Sequence, residues 1–203
     1  GNTMEAYGHK SYSADTDPES FETLWGQPVT TEEMIKGMKA SGFDSLRVPV
    51  AWTNAMEYEK GDYTINEAYL DRVEEIINYA LDNDMYVIIN DHWDGSWWGM
   101  FGSSEQSDVD KAFEMYKSMW TQIANRYKKY SDRLIFEGAN EELGDRLNDT
   151  DVCKNSGSLS KAECYEMANK INQTFVDTVR ATGGNNEQRF LLIAGYNTDI
   201  TMT

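Results

Sequence analysis

The sequence predicts an α/β protein built on a parallel sheet, and more specifically an incomplete, roughly half (β/α)8 TIM barrel filling residues 1–203 as a single domain. Three observations predict it. Short apolar runs of strand length alternate with longer segments of helical hydrophobic period, the pattern of right-handed β-α-β units. Polar and aromatic residues stand just past every run, at Trp52-Thr53-Asn54, Asn90-Asp91-His92-Trp93-Asp94, Asn140-Glu141-Glu142 and Tyr196-Asn197. In a barrel, those strand ends open onto one face. No Gly-rich phosphate loop follows any strand, which counts against a doubly wound nucleotide-binding sheet. A full barrel takes about 250 residues, so four clear strands in 203 residues predict a partial one with two unpaired edges.

Thr30-Thr31-Glu32-Glu33 supplies a capping box that opens a helix with Met34, Ile35 and Met38 on one face, and Ser41-Gly42 ends it. Leu46-Arg47-Val48-Pro49-Val50 follows as a strand, in which Pro49 marks the end of backbone pairing. From about Asn66, Leu70, Val73, Ile77 and Ala80 recur at helical spacing. Met85-Tyr86-Val87-Ile88-Ile89 is a continuous apolar run, as expected of a parallel strand buried on both faces. The next helix, about Ser107 to Tyr130, carries Phe113, Tyr116, Trp120, Ile123 and Tyr127. Leu134-Ile135-Phe136 is the third strand. After a loop, Ser160 caps a helix with Glu163 three residues on and Ile171, Phe175, Val176 and Val179 inward. Phe190-Leu191-Leu192-Ile193-Ala194 is the fourth strand.

The formal net charge of -17 argues against a nucleic-acid partner, since phosphate binding draws on clustered Lys and Arg. No run is long and apolar enough for a membrane span, and Gly1-Asn2-Thr3 has neither the basic flank nor the apolar stretch of a signal peptide. The chain is expected to be soluble, with any export signal removed. His9 and His92 are the only histidines, and Cys153 and Cys164 form no CxxC, so neither a metal site nor a cofactor is expected. The two cysteines could equally form one loop-stapling disulfide or stay free. Asp145, Asp149 and Asp151 lack the spacing of a calcium loop and read as solvated. Asn172-Gln173-Thr174 matches a glycosylation acceptor but falls inside a helix.

Arg47 lies within an apolar strand, where an unpaired charge would cost several kcal/mol, so it must meet a carboxylate near the end of the sheet. Glu137 reads as a barrel-interior or structural residue. Trp97 and Trp98, in a Gly-rich polar loop after a strand, are candidate stacking platforms for a bound ligand, whereas Trp25 and Trp120 read as packing residues.

Together Gly1-Asn2-Thr3-Met4-Glu5, Leu46-Arg47-Val48-Pro49-Val50, the run from Val87 to Gly95, the run from Leu134 to Glu141 and the run from Asn172 to Asn185 resemble glycoside hydrolase family 5. The resemblance is closest to its subfamily 4 of endo-β-1,4-glucanases and xyloglucanases. It implies that the four strands correspond to about strands 2 to 5 of the barrel. It also implies a retaining, secreted enzyme that cleaves β-1,4-linked glucan with two carboxyl groups roughly 5 to 5.5 Å apart. Glu141 matches the general acid/base, and Asn140 matches the Asn whose amide holds the sugar 2-hydroxyl. Arg47 matches the Arg that keeps the nucleophile ionised, and His92 the His lining the subsite next to the cleaved bond. Asn2, Trp93 and Tyr196 join Trp97 and Trp98 as substrate-binding candidates.

Two positions depart from the pattern. Glu142 stands where Pro is common, and Trp93 where many members carry a second His. Glu142 is expected to turn away from Glu141, because consecutive residues leaving a strand point to opposite sides. It is the weaker substitute for the acid/base role. The family's later His, Tyr, nucleophilic Glu and Trp have no counterpart, so the chain alone is expected to be inactive. The competing expectation is a non-catalytic glucan-binding or self-associating half-barrel, held to another copy or to a complementing C-terminal half through its open edges.

Overall fold

The computed structural model describes residues 4–6, 12–92, 94, 97–149 and 157–202. Four strands, β1 (Ser45–Val48), β2 (Tyr86–Asn90), β3 (Leu134–Glu137) and β4 (Leu191–Leu192), form one sheet in the order β1-β2-β3-β4, every pair parallel. A sheet whose spatial order follows the sequence without reversal is the barrel topology, because a doubly wound sheet turns back at a switch point. The helices are α1 (Pro18–Glu22), α2 (Glu32–Ala40), α3 (Glu67–Leu81), α4 (Gln106–Tyr127) and α5 (Lys161–Ala181).

Asn66 caps α3, and Ser160 with Glu163 forms a reciprocal capping box on α5, as read. At α2 the cap is Thr31, whose hydroxyl accepts Met34 N–H, so Met34 and not a Glu stands three residues on and the capping box expected there is corrected to a simple N-cap. Leu70, Val73, Ile77 and Ala80 of α3, and Phe113, Tyr116, Trp120, Ile123 and Tyr127 of α4, are all buried. On α2, however, only Ile35 is buried and Met34 is 43% exposed, since a nine-residue helix turns just one row of side chains toward α3. Trp25, read as packing, is 54% exposed, whereas Trp120 is fully buried.

Register explains which strand residues reach the site. Leu46 and Val48 pair with Val87 and Ile89, which pair with Leu134 and Phe136, and this row is buried beneath the helices. The alternate row holds Arg47, Ile88, Ile135, Glu137 and Leu192 and faces the barrel interior. Burial on both faces was expected of β2. The helices cover only one face, and Tyr86 stays 48% exposed and Leu192 42%. β4 is shorter than the run from Phe190 to Ala194, because it pairs on one side only, with β3; Phe190 and Ile193 are each 59% exposed.

Two expectations about the first edge are corrected. Met4 makes a parallel bridge to Val50, with hydrogen bonds from Met4 N–H to Pro49 O (3.2 Å) and from Ala51 N–H to Met4 O (2.9 Å). That edge of β1 is therefore partly covered. Pairing also runs past Pro49, since proline loses a donor but keeps its acceptor, and His92 N–H donates to Val50 O at 2.9 Å.

Two arginines brace the helix layer. Arg72 of α3 is bound to the fully buried Glu22 of α1 and to the carbonyl of Thr30. Arg189 is 1% exposed and donates to the carbonyls of Tyr127, Tyr130, Ser131 and Leu134 and to Asn186 Oδ1, tying the end of α4 to the approach to β4.

Candidate active site at the strand ends

Arg47 projects from β1 into the open face and makes a two-pronged contact with Glu137, Nε to Oε2 at 2.8 Å and Nη2 to Oε1 at 2.6 Å. The same Nη2 donates to Asn140 Oδ1 at 2.8 Å. The carboxylate that Arg47 had to find is thus Glu137, two rows further along β3 on the same face. The signal for it was present: Glu137 is the sole acidic residue inside the four strands. Hydrogen bonding to Glu137 holds the guanidinium firmly protonated despite partial burial.

His92 is held by two residues that sequence reasoning did not assign to the site. Glu5 Oε2 lies 2.9 Å from His92 Nε2, and Asn90 Nδ2 lies 3.1 Å from Nδ1. Asn90 Oδ1 already accepts from Val50 N–H (3.3 Å), so its amide nitrogen is the donor to Nδ1 and the imidazole proton sits on Nε2, pointing at Glu5. Burial, followed by repulsion from Arg47, pushes His92 down to about 4, so the ring is neutral at ordinary pH. Burial raises the Glu5 carboxyl. Glu5 escaped notice because nothing local in the sequence marks a contact spanning that distance, whereas Asn90, two residues before His92, was read only as part of the polar cluster past the strand.

Glu141 follows Asn140 beyond β3 with its side chain 59% exposed, and Arg146 Nη2 lies 3.7 Å from its Oε2. Glu142 turns the other way, as expected. It is fully buried, and its Oε2 accepts the backbone N–H of Asn140 at 2.6 Å, pinning the turn that presents Asn140 and Glu141. Below His92, Asp91 and Asp94 are also fully buried. Asp94 accepts from Thr53 N–H at 3.0 Å and from its hydroxyl at 2.5 Å, and burial lifts it to about 6. Burial and the Asp94 charge raise Asp91 further, so it is the protonated member of the pair.

The aromatic candidates fare differently. Trp97 and Trp98 lie in a 3-10 turn, Trp97–Gly102, and are 0% and 3% exposed. They stack on each other at 4.5 Å and pack against Phe101 and Tyr116. Neither presents a face to a sugar, so the subsite role read for them is corrected to core packing against α4. Tyr196 is 3% exposed, stacked on Tyr165 at 4.2 Å, with its hydroxyl on Asp145 Oδ1 at 2.5 Å. Asp145 is therefore an anchored residue and not a merely solvated one. Asn2, Trp93, Cys153 and Asp151 lie outside the described residues; Cys164 is a buried free thiol. Asn172 is buried on α5 and donates to Ala194 O at 2.8 Å, a structural role that suits its position inside a helix.

The family model described as Cellulase (glycosyl hydrolase family 5) matches residues 8–203. A xyloglucan-specific endo-β-1,4-glucanase of Bacteroides ovatus is 40% identical over 203 residues, covering 98% of this chain and 37% of that protein. Endoglucanase A of Ruminococcus albus is 38% identical over 196 residues, covering 97% of this chain and 49% of its own length. Among solved structures, a broad-specificity endoglucanase of subfamily 4 from Clostridium longisporum superposes with a TM-score of 0.82 at 34% identity, covering 97% of this chain and 52% of the other. A subfamily 4 enzyme from Ruminococcus champanellensis, with bound cellotriose, gives 0.79 at 39% identity, covering 97% and 53%. The chain thus spans about half the length of these relatives or less.

Proposed function

We propose that this chain, which belongs to glycosyl hydrolase family 5, forms the acid/base side of a retaining endo-β-1,4-glucanase acting outside the cell on β-1,4-linked glucan. The observation that carries the reading is the arrangement around Asn140-Glu141. An exposed carboxyl stands at the strand end, beside an Asn whose carbonyl oxygen is taken by Arg47, which leaves its amide hydrogens to donate to a sugar hydroxyl. The kinship with enzymes named as endoglucanases supports the substrate class.

In this reading Glu141 protonates the leaving glycosidic oxygen while a second carboxylate attacks the anomeric carbon. Glu141 then removes a proton from the water that releases the glycosyl group. Glu137 is committed to Arg47, Glu5 to His92 and Glu142 to the Asn140 backbone, so the attacking carboxylate comes from chain beyond these residues. Arg47 borders the hollow in which that carboxylate would sit, with Ile88, Asn140, Leu192 and Thr198 among its other walls. Asn2 and Trp93 remain proposed sugar contacts, whereas Tyr196, buried and stacked on Tyr165 with its hydroxyl on Asp145, presents no face to a sugar and its substrate-binding role is corrected to a structural one.

The test compares the 203-residue chain with the complete barrel on an aryl β-cellobioside, following the product by proton NMR. The reading expects hydrolysis by the complete barrel with β-anomer formed first, and none by the chain alone. Hydrolysis by the chain at the rate of the complete barrel, or α-anomer formed first, would refute it. A second reading rests on the exposed Tyr86, Phe190, Leu192 and Ile193 around the open face and β4. It takes the chain as a self-associating, glucan-binding half-barrel. Sedimentation of the isolated chain as a stable monomer would dismiss it.

A further inference from the structure

The loop that follows Glu141 is gripped by a single residue of the next strand end. Asn197 donates its backbone N–H to Leu143 O at 2.6 Å, accepts Asp145 N–H on Oδ1 at 2.9 Å and donates Nδ2 to Asp145 Oδ2 at 2.9 Å. Tyr196 adds its hydroxyl to the other Asp145 oxygen. Between these contacts lies Gly144, at φ +140°, where a β-carbon would overlap the Asn197 amide. Positions 143, 144 and 145 are therefore all engaged by Asn197, immediately after the acid/base and its buried neighbour Glu142.

The grip is made at a conformational cost. Asn197 has φ 51° and Thr198 has φ 52°. Asn tolerates the left-handed region, but a β-branched Thr there is an outlier that persists only where its surroundings over-determine it. The strain sits beside the site, because Thr198 lines the same hollow as Arg47, Glu137 and Asn140. Asp145 in turn begins the 3-10 turn Asp145–Asn148 that carries Arg146, the cation facing Glu141.

We propose that Asn197, with Tyr196 acting through Asp145, is a positioning residue that fixes the Asn140-Glu141 turn and Arg146 relative to the leaving-group side of the cleaved bond. It touches neither substrate nor reacting atoms. The proposal rests on the acid/base reading of Glu141. Its consequence is selective: loosening the loop harms proton delivery to the leaving oxygen more than attack at the anomeric carbon.

The test is Asn197→Gly in the complete barrel, which keeps the left-handed backbone and the N–H to Leu143 and removes only the side-chain grip. Substrates are phenyl β-cellobioside, which needs protonation on departure, and 2,4-dinitrophenyl β-cellobioside, which does not. General acid catalysis contributes about 100-fold or more. A misplaced acid should therefore lower kcat/KM on the phenyl substrate by roughly tenfold or more, with the dinitrophenyl value within about twofold of the parent. Equal losses on both substrates, or none on the phenyl one, would overturn the proposal. Tyr196→Phe carries the same test should Asn197→Gly fold poorly. Glu141→Gln run in parallel separates the two ideas. If it shows the substrate split and Asn197→Gly does not, the positioning role is wrong. If it shows none, the acid/base reading fails and takes this proposal with it.

Discussion

Gly102→Ala is expected to be strongly destabilising, although it adds only one methyl group, because it adds it in a buried turn. Gly102 ends the 3-10 turn after β2 with its α-carbon pressed on the Leu147 peptide of the loop after β3. A β-carbon there would overlap the Leu147 carbonyl oxygen and lie 2.7 Å from its carbon. Ordinary carbon contacts start near ~3.5 Å, so the two backbones must part by about an ångström, and neither can rotate away. Overpacking of this kind costs about 1–3 kcal/mol. Separation also strains the bonds from Ser158 N–H and Oγ–H to Gly102 O, each worth about 1 kcal/mol net. A loss of about 2–4 kcal/mol follows. With a urea m-value near ~2 kcal/mol/M, the midpoint falls by about 1–2 M. Gly37→Ala is the control. It lies inside α2 with nothing within 4 Å of its virtual β-carbon, and should stabilise by about 0.5–1 kcal/mol. A Gly102→Ala midpoint within about 0.25 M of the parent would refute the claim that these two site loops are locked backbone to backbone.

Arg189→Met should cost about 3–5 kcal/mol in urea unfolding, since it strips buried carbonyls of the donor they share; a loss below about 1 kcal/mol would contradict that. The His92 imidazole should stay neutral, with its proton on Nε2, until the pH falls to about 4, read by nitrogen-15 NMR. The unfolded chain takes up that proton near pH 6.5 while the folded chain does so only near 4. The His92 contribution therefore lowers stability progressively as pH falls between those values, by up to about 3 kcal/mol. Glu5 works in the opposite sense, because its raised carboxyl gains a proton more readily in the folded chain, so Glu5→Gln should steepen the acid-side decline.

Much of the fold could be read from periodicity and caps because those signals are local. The α3 and α4 stripes, the Ser160 box and the placement of Asn140-Glu141 past an apolar run each depend on a few consecutive residues. The misreadings share a different cause. Whether Trp97 and Trp98 face sugar or core depends on α4 lying beneath them, and a Gly- and Ser-bearing loop looks the same in either case. The Arg47 partner depended on strand register, and the His92 partner on a single bridge at Met4 that no apolar run announces. The clamp of Asn197 on Asp145 is also a contact between strand ends, visible only once β3 and β4 are side by side.

The most direct test of the central claim is Glu141→Ala in the complete barrel with 2,4-dinitrophenyl β-cellobioside and added azide. The activated leaving group departs without a proton, while release of the glycosyl group stalls for want of a base. Azide, needing no base, should then restore turnover by about 100-fold or more and yield β-cellobiosyl azide. A variant whose rate ignores azide, or whose product is the α-azide, would contradict Glu141 as the acid/base of a retaining enzyme.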